Sequence, residues 1–299
     1  MGKKLAIIVV LVAAVAACAW FEPTRTVQGW ARGEPFFDGR SASAWEERLA
    51  SREPAEQAAT PDKLEAGRAA AVPVLLRLLF SADSSLRWKA ANVLAKIGPE
   101  AHDAAPALAK CLDDADPFVR KVAAEALGEI KDTRPEVLAA MVAKLSGDER
   151  DLVIRPLSKF GSAAESAAPA LIAIIDNESL GDRTRWEAIR TLGKIGPAAR
   201  GAIPALIAAL KDKDDDVREH AAESLGEIGA VVAIPNLTAT LGDESPKVRR
   251  DAVRSLGQLG SAAKSAIAAI EKLLGDKEEI VRDAAKTALR QIDPEGHSK

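Results

Sequence analysis

Few residues in this 299-residue sequence have types and spacings that could do chemistry, since it holds two cysteines, three histidines and no tyrosine. His220 and Glu223 stand one helical turn apart, a spacing at which two side chains can ligate one metal ion. The same spacing is typical of a solvated, charged helix face, which is the interpretation that we favour. His102 falls in a turn and His297 in the tail. We therefore expect no metal site and no cofactor.

No other pattern predicts catalysis. The sequence contains no G-x-S-x-G, no phosphate-binding loop and no dinucleotide fingerprint. Cys111 stands between Leu108 and Leu112, which predicts a buried, inert thiol. The formal net charge is −3, from 41 basic and 44 acidic residues, which argues against a surface that binds nucleic acid. We expect a protein that is not an enzyme and has no nucleic-acid partner.

The N-terminus has the proportions of an export signal, because two lysines precede an unbroken apolar run over residues 5–17. Val15 to Cys18 resembles a bacterial lipobox, which predicts lipid attachment at Cys18. Two alternatives stay open. The apolar run extends to Phe21 and would span about 26 Å as an uncleaved helical anchor, and the small residues around Cys18 also fit cleavage before Trp20. Each alternative places the rest of the chain outside the cytoplasm, attached to the membrane in the first two.

The sequence divides into five segments by composition and periodicity. We expect a signal peptide or membrane anchor, a tether rich in proline and glycine, a degenerate N-terminal helical pair, a repeated region and a short tail. In that order they are residues 1–19, 20–42, 43–70, 71–293 and 294–299.

The repeated region carries one arginine at an equivalent position in every unit. The arginines are Arg87, Arg120, Arg150, Arg185, Arg218, Arg249 and Arg282, at spacings of 33, 30, 35, 33, 31 and 33 residues. A period of about 32 residues predicts stacked units of supersecondary structure.

Each unit predicts two helices. The first begins with a proline such as Pro204, where a missing N–H costs no hydrogen bond. An acidic turn follows, whose carboxylates can cap the second helix. The second helix carries apolar residues three, four, seven and ten positions after the arginine, which is one helical face, and a glycine such as Gly229 ends it. Alanine at the third and fourth positions allows close helix packing, so a core can form with few aromatic residues.

These units resemble HEAT repeats, in particular the short type of phycobilisome lyase subunits. The resemblance rests on the proline, on the run Asp-x-x-Val-Arg-x-x-Ala-x-x-x-Leu-Gly-x-Ile-Gly and on the period across residues 71–293. It implies an all-α fold, a right-handed solenoid of about seven two-helix repeats after the degenerate pair, with the second helices along the concave face. Residues 37–49 also resemble a short motif that precedes HEAT arrays in exported planctomycete proteins.

The resemblance implies a scaffold that binds another protein or peptide and performs no catalysis. The alternative is a bilin lyase-like subunit that handles a chromophore. Such a subunit would need a pocket with a base or a thiol, for which the repeated region offers only Cys111.

Three positions of each second helix, one, five and nine residues after the arginine, lie opposite the apolar face, and we call them the binding stripe. The third and fourth units make it basic and the fifth makes it acidic. We expect Trp88 and Trp186 to be largely exposed there, because tryptophan is a favoured interface anchor. The alternative is that neighbouring helices simply pair opposite charges. The predicted partner-binding residues are Trp88, Arg155, Lys159, Trp186, Arg190, Lys194, Glu219, Glu223 and Glu227.

Two units depart from the pattern. Pro156 falls inside the second helix of the third unit and removes the bond to the Leu152 carbonyl, which predicts a kink and a change of curvature between the third and fourth units. In the seventh unit Lys286 replaces an apolar residue, which suits a terminal repeat with a wet outer face.

Overall fold

The computed structural model describes residues 25–297, and its regular structure is almost entirely helical. One short hairpin, β1 (Phe36–Phe37) with β2 (Arg40–Ser41), is antiparallel. The α-helices are α1 Thr26–Ala31, α2 Ala42–Ala50, α3 Pro54–Ala66, α4 Val72–Leu78, α5 Ser84–Ile97, α6 Ala105–Cys111, α7 Pro117–Ile130, α8 Pro135–Lys144, α9 Asp151–Leu157, α10 Ala168–Ile175, α11 Asp182–Ile195, α12 Ile203–Ala209, α13 Asp215–Ile228, α14 Ile234–Thr240, α15 Pro246–Gln258, α16 Ile267–Lys272 and α17 Glu279–Ile292.

Helices α4 to α17 form seven consecutive pairs along the chain, each a short first helix followed by a second, so the predicted all-α fold of a two-helix solenoid is confirmed. The helix pair α2 and α3 precedes them, in the segment 43–70 where we expected a degenerate pair. Short 3-10 segments fill many of the connections: Arg68–Ala71, Gly98–Ala104, Ser158–Ala167, Gly196–Ala202, Val231–Ala233, Gly260–Ala266 and Leu273–Gly275.

The second helices begin and end as their sequences require. Asp214 caps α13 by accepting a hydrogen bond from the N–H of Val217, and Asp116 caps α7 in the same way from Phe118. Gly229 ends α13 with φ at 76°, a left-handed conformation that a Cβ would strain. In α13 the acidic turn and the terminal glycine therefore set the length of the second helix.

The described chain divides into two compact units, unit 1 ending at Ala140 and unit 2 beginning at Met141, so the division falls inside α8. In unit 1, α5 packs on α7. In unit 2, the second helices α11, α13, α15 and α17 pack on one another in succession.

The apolar face predicted for the second helices forms the core of both units. In α13 its members are Ala221, Ala222, Leu225 and Ile228, none of them more than 4% exposed. Because two of these four positions are alanine, the helix axes can approach closely. The core consequently needs few aromatic side chains, as the composition predicted.

The repeated arginine is a buried link between consecutive repeats. Arg87 donates from Nε and Nη2 to the two carboxylate oxygens of Asp114 in the next turn, both at 2.7 Å. Arg218 makes the same bidentate contact with Asp243, at 2.9 and 3.0 Å, and its Nη1 donates to carbonyls of its own turn. Equivalent pairs join Arg185 to Asp212 and Arg249 to Asp276. The predicted structural role of these arginines is therefore confirmed for four repeats.

Residues 25–42 differ from the tether that we expected over 20–42. Trp45 of α2 is fully buried and donates from Nε1 to the Phe37 carbonyl at 2.9 Å, and its ring packs on that of Phe37. Gly29 of α1 lies so close to β2 that a Cβ there would be 2.3 Å from the Cβ of Ser41. The prolines and glycines of this segment thus serve turns and close packing, and the segment forms a folded N-terminal cap, residues 25–50, made of α1, the hairpin and α2.

Pro156 shortens its helix, as a proline in a helix interior should. α9 ends at Leu157 and has seven residues, whereas α11 and α13 have 14 each. The chain continues as a 3-10 segment over Ser158–Ala167, inside which Gly161 is non-helical. α9 contains Pro156, and the regular α-helix ends one residue after it. The predicted kink and the predicted change in curvature both stay predictions.

The C-terminal repeat ends with a wet face. Lys286 is exposed and forms an ion pair with Asp283 at 2.9 Å. In the tail that we assigned to residues 294–299, His297 turns back toward Glu271 of α16, with 3.5 Å between Nε2 and Oε1.

Candidate functional site

The binding stripe lies on the surface of both units, because none of its side chains is buried within the described residues. The physical reason is the period of 3.6 residues, which turns positions one, five and nine away from the core. On the second helices of unit 1 the stripe consists of Trp88, Asn92 and Lys96, then Lys121, Glu125 and Glu129. On those of unit 2 it consists of Asp151, Arg155 and Lys159, then Trp186, Arg190 and Lys194, then Glu219, Glu223 and Glu227, then Arg250, Arg254 and Gln258.

In unit 1, Trp88 packs edge-on against Phe118 of the next second helix. The ring centroids are 5.3 Å apart and the planes meet at 76°, a favourable aromatic geometry. Lys89 places its ammonium 6.0 Å from the Trp88 ring centroid. Phe118 keeps 48% of its surface exposed. The pair therefore forms a partly wet aromatic cluster at one end of the stripe.

In unit 2, Trp186 packs on His220 of α13, with ring centroids 4.8 Å apart and planes tilted by 32°. The Nδ1 atom of His220 lies 3.3 Å from Oε2 of Glu223. The His220 side chain is only 20% exposed, so our expectation of a solvated charged face is wrong for this residue. Stacking and the carboxylate hold the imidazole in place instead.

The expectation that Trp88 and Trp186 are largely exposed is also wrong, since both are half-buried. Position one faces the gap between adjacent second helices, and an indole is long enough to cross a helix spacing of about 10 Å and contact the next helix. Each tryptophan thus contributes to the stacking of repeats and shows only part of its ring to solvent.

We call the three stripe glutamates of α13 the acidic column. Two of them form ion pairs with residues of the neighbouring helices. Glu219 accepts from Nη2 of Arg250 on α15 at 2.7 Å, and Glu227 is paired with Lys194 on α11. Burial and the nearby Asp251 raise the pKa of Glu219, whereas the contact with His220 lowers that of Glu223. For this column, the alternative that neighbouring helices pair opposite charges is the better description.

We call the basic stripe residues of the third and fourth repeats the basic column. Its two arginines, unlike two of the three glutamates in the acidic column, form no ion pair with a neighbouring helix of the described chain. Arg155 of α9 and Arg190 of α11 are exposed, and no carboxylate of the described chain lies within ion-pair distance of either. The residues beside them are in contact, because the Thr191 side chain donates from Oγ1 to the carbonyl of Ile154 at 3.1 Å. Lys159 is exposed and Lys194 is the partner of Glu227. Structure therefore brings Arg155 and Arg190 together as available cations.

Cys111 lies on α6 and is 4% exposed, which confirms the predicted burial. Burial raises the pKa of its thiol to about 11, and the charge of Asp114 adds to this effect. Little reactive thiolate exists at neutral pH, so the site offers no nucleophile. Within residues 25–297 no three His, Cys, Asp or Glu side chains are grouped in a way that could hold a metal ion.

Sequence reasoning missed Phe118 and the pairing of Arg250 with Glu219. Phe118 stands two residues before Arg120, outside the stripe as we defined it. One signal could have found it, since the sequence has only six phenylalanines and this one falls at the start of a second helix.

Comparison with known families fits this geometry. HEAT repeats match residues 42–128, 72–157, 168–245 and 234–297. The chain belongs to the HEAT-repeat proteins. The matches cover most of the described chain, α2 included, and agree with the stacked helix pairs of both units. No curated protein sequence matched the chain.

Solved structures of similar fold include an engineered protein, with a TM-score of 0.57 and 23% identity over 84% of this chain and 78% of that chain. Importin beta is similar with a TM-score of 0.54 and 13% identity, over 84% of this chain and 38% of that chain. A complex of CpcE and CpcF of phycocyanin lyase from Nostoc gives a TM-score of only 0.43 and 20% identity, over 78% of this chain and 95% of that chain. At these identities the likeness concerns the fold alone.

Two earlier predictions concern the N-terminus. Cys18, the expected lipid attachment site, lies outside the described residues. Of the helices between residues 25 and 297, none is both long enough and apolar enough to cross a bilayer.

Proposed function

We propose that this HEAT-repeat protein is a non-catalytic scaffold that binds a partner protein or peptide on the second-helix stripe of unit 2. HEAT-repeat proteins generally bind other proteins, and an elongated repeat surface suits that task. The partner recognised here presents acidic groups to Arg155 and Arg190, with an apolar group against the exposed edge of Trp186.

One observation carries this proposal: Arg155 and Arg190 are the stripe arginines that form no ion pair among the described residues, although the charge of Arg190 acts on Glu223, while Glu227 and Glu219 of the adjacent acidic column are paired with Lys194 and Arg250. A guanidinium offers a planar set of donors that matches a carboxylate in two parallel bonds. Two of them side by side fit an acidic peptide segment better than they fit water.

The proposal also places the scaffold on the membrane, on the side away from the cytoplasm. It is supported by the two lysines, the apolar run and Cys18 of the N-terminal sequence. The partner would then be another envelope or extracytoplasmic protein.

The alternative, a chromophore-handling subunit of the bilin lyase kind, gains little support. Cys111 is the thiol that such chemistry would use in the described chain, and it is buried with a raised pKa. The structural likeness to the phycocyanin lyase complex is too low to carry an argument.

The test replaces both arginines by glutamate, R155E/R190E, in the full-length protein carrying a photo-cross-linking residue at the exposed Glu178. The matched control reverses two exposed cations in the 3-10 segments, R200E/K264E, so that the net charge change is equal. We expect one adduct from wild type and control that is weakened in the double variant, and weakened further at low salt, because the repulsion between the introduced carboxylates and the acidic partner is then screened less.

A double variant that forms the same adduct at the same yield and salt dependence as wild type would contradict the proposal. Loss of the adduct in the control as well would point to net charge rather than to this surface.

A further inference from the structure

We propose that the outer face of α1 lies in the headgroup region of the membrane to which the chain is attached, so that the N-terminal cap rests on the lipid surface. The surface consists of Val27 and Trp30 of α1, and we call it the cap patch. The inference rests on the proposed membrane attachment and adds to it a contact made by the folded chain itself.

The cap patch is the most exposed aromatic surface of the described chain. Trp30 is 80% exposed and Val27 45%. Val27 and Trp30 are three residues apart on a helix and therefore share one face. An indole left this exposed covers no repeat and contributes nothing to the core, unlike the half-buried Trp88 and Trp186.

The opposite face of α1 is held firmly against the fold. Gln28 and Gly29 are buried, and Gly29 packs directly on Ser41 and on the ring edge of Phe36. Arg25, before the first turn, forms an ion pair with Glu47 of α2 at 2.9 Å. The cap patch is therefore a fixed surface whose direction is set by α2 and the hairpin.

The distance along the chain brings this surface to the bilayer. Phe21, the end of the apolar run, lies four positions before Arg25, the first described residue, and four chain steps span at most about 14 Å. If Cys18 carries the lipid, seven residues reach at most about 25 Å. A free tether over residues 20–42 would have reached about 80 Å. Because residues 25–42 fold into the cap, most of that possible distance between the membrane and the folded chain is lost.

The chemistry of the cap patch matches a lipid interface better than a protein partner. Tryptophan concentrates at the headgroup level, where its ring is apolar and its N–H is wet. Arg25 and Arg32 flank α1, and each is paired with a carboxylate, Glu47 at 2.9 Å and Glu34 at 3.8 Å, so the match rests on the apolar side chains rather than on charge. An exposed tryptophan a few residues beyond an apolar run fits a membrane surface.

The experiment uses the full-length protein in vesicles of phosphatidylcholine and phosphatidylglycerol whose acyl chains carry bromine near the headgroup. Bromine quenches tryptophan fluorescence on contact. The difference between wild type and Trp30→Phe isolates the emission of Trp30, because Trp20 and the other tryptophans are common to both proteins. Flotation with the vesicles reports attachment separately.

The matched control combines Trp30→Phe with Val232→Trp, which moves the indole to a site on unit 2 where the native side chain is 69% exposed. We expect the Trp30 emission to fall about twofold or more in brominated vesicles, since interfacial indoles contact the upper acyl chains, and the emission of the tryptophan at position 232 to stay unchanged.

Attachment without quenching of Trp30 would overturn the inference and leave the proposed attachment intact, and so would equal quenching at position 232. Failure of the protein to float would remove the proposed membrane attachment and this inference together.

Discussion

Two helix interfaces of the molecule share the contacts of the repeated arginine and of the tryptophan that follows it. They differ at two small residues farther along the helices. They are α5 on α7 in unit 1 and α11 on α13 in unit 2. In each, a tryptophan follows the repeated arginine and stacks on a ring of the next helix, Phe118 in one and His220 in the other. In each, the arginine is paired with an aspartate of the next turn, Asp114 or Asp212. The repeat pattern alone accounts for these shared contacts.

The difference lies at the positions six and eight residues after the arginines. Unit 1 has Ala126 on α7 and Ala95 on α5. Unit 2 has Ser224 on α13, which donates to the Ile189 carbonyl at 3.0 Å, and Gly193 on α11, where a Cβ would lie 2.6 Å from the serine Oγ. The next interface repeats this, with Ser255 donating to the Ala222 carbonyl at 2.7 Å beside Gly226. The α11–α13 and α13–α15 interfaces thus set helix register by a directional hydrogen bond beside a glycine, and the α5–α7 interface sets it by apolar packing.

The largest expected effect comes from the contact that both interfaces share. Asp212→Ala leaves Arg185, which is 5% exposed, with only the contact to Asp182 at 3.3 Å, and should lower the free energy of unfolding by about 3 kcal/mol. Asp114→Ala should cost less, about 2 kcal/mol, because the Arg87 side chain is 15% exposed. Urea unfolding measures both.

The control is Glu100→Ala, which removes the exposed pair with Arg68 and should change stability by less than about 0.5 kcal/mol. Equal losses in all three variants would show that the arginine contacts are ordinary surface pairs. Thiol labelling of Cys111 adds a local readout, since opening of unit 1 in Asp114→Ala should expose it.

These pairs also make stability depend on pH. The bond from Arg87 lowers the pKa of Asp114, and Arg185 lowers that of Asp212 against the opposing effect of burial. A lowered folded pKa contributes stability above the ordinary aspartate range that is lost as pH falls through the folded value. The difference between wild type and Asp212→Ala should therefore be full at neutral pH and shrink below about pH 4. A difference that grows in acid would contradict this.

The next effect separates the two interfaces. Gly226→Ala would place a Cβ 2.5 Å from Oγ and 2.7 Å from Cβ of Ser255, and we expect a loss of about 2 kcal/mol even after the gain in helix propensity. The second change Ser255→Ala should recover part of that loss, because it removes the crowded hydroxyl. Ala95→Gly in unit 1 should cost about 1 kcal/mol through helix propensity alone. If Gly226→Ala stabilised the protein, the interface beside Ser255 would have space for the added Cβ, which would contradict the prediction.

A smaller effect tests the hydrogen bond itself. Ser224→Ala removes the bond to the Ile189 carbonyl and should cost about 1 kcal/mol. Hydrogen exchange should show faster opening of α13 in this variant. Ala126→Gly on α7, at the equivalent position of unit 1, serves as the comparison, because it loses helix propensity without losing any hydrogen bond. Unchanged exchange in Ser224→Ala would mean that packing alone sets the register in unit 2 as well.

The smallest effect concerns the ring pairs. Glu223→Gln weakens the hold on His220, and because the Glu223 side chain is 38% exposed, solvent screening limits the cost to a few tenths of a kcal/mol, about 0.3. The pKa of Glu223 is lowered by the contact with His220, so this contribution is present at neutral pH and lost in acid. Trp186 fluorescence measures the change. Phe118→Leu beside Trp88 should show no such pH dependence.

Local pattern predicted most of the fold. The spacing of the arginines, the prolines, the acidic turns and the terminal glycines identified every two-helix repeat, and the apolar positions three, four, seven and ten identified the core. These features were readable because each repeat satisfies its own caps and buries the same helical face. The burial of Cys111 followed from the same local rules.

The candidate site was less readable, because it depends on which side chains meet across helices. Trp88 and Trp186 are on the surface stripe, yet each lies against a ring that only stacking brings near. The sequence predicted an acidic band on α13, but Lys194 and Arg250 form ion pairs with Glu227 and Glu219 of that band. Arg155 and Arg190 could be recognised as unpaired cations only once the ion pairs of the other stripe residues were known.

The sequence by itself determined the repeat, the helix limits and the buried face, since those follow from periods and caps within about 30 residues of chain. Only the tertiary structure decided that residues 25–42 fold onto α2. There Trp45 and Gly29 make contacts that the repeat period does not predict. The tertiary structure also decided which charges stay unpaired and that a serine in one repeat lies against a glycine in the one before. These are distances between atoms far apart along the chain, and only the packed helices bring such atoms into contact.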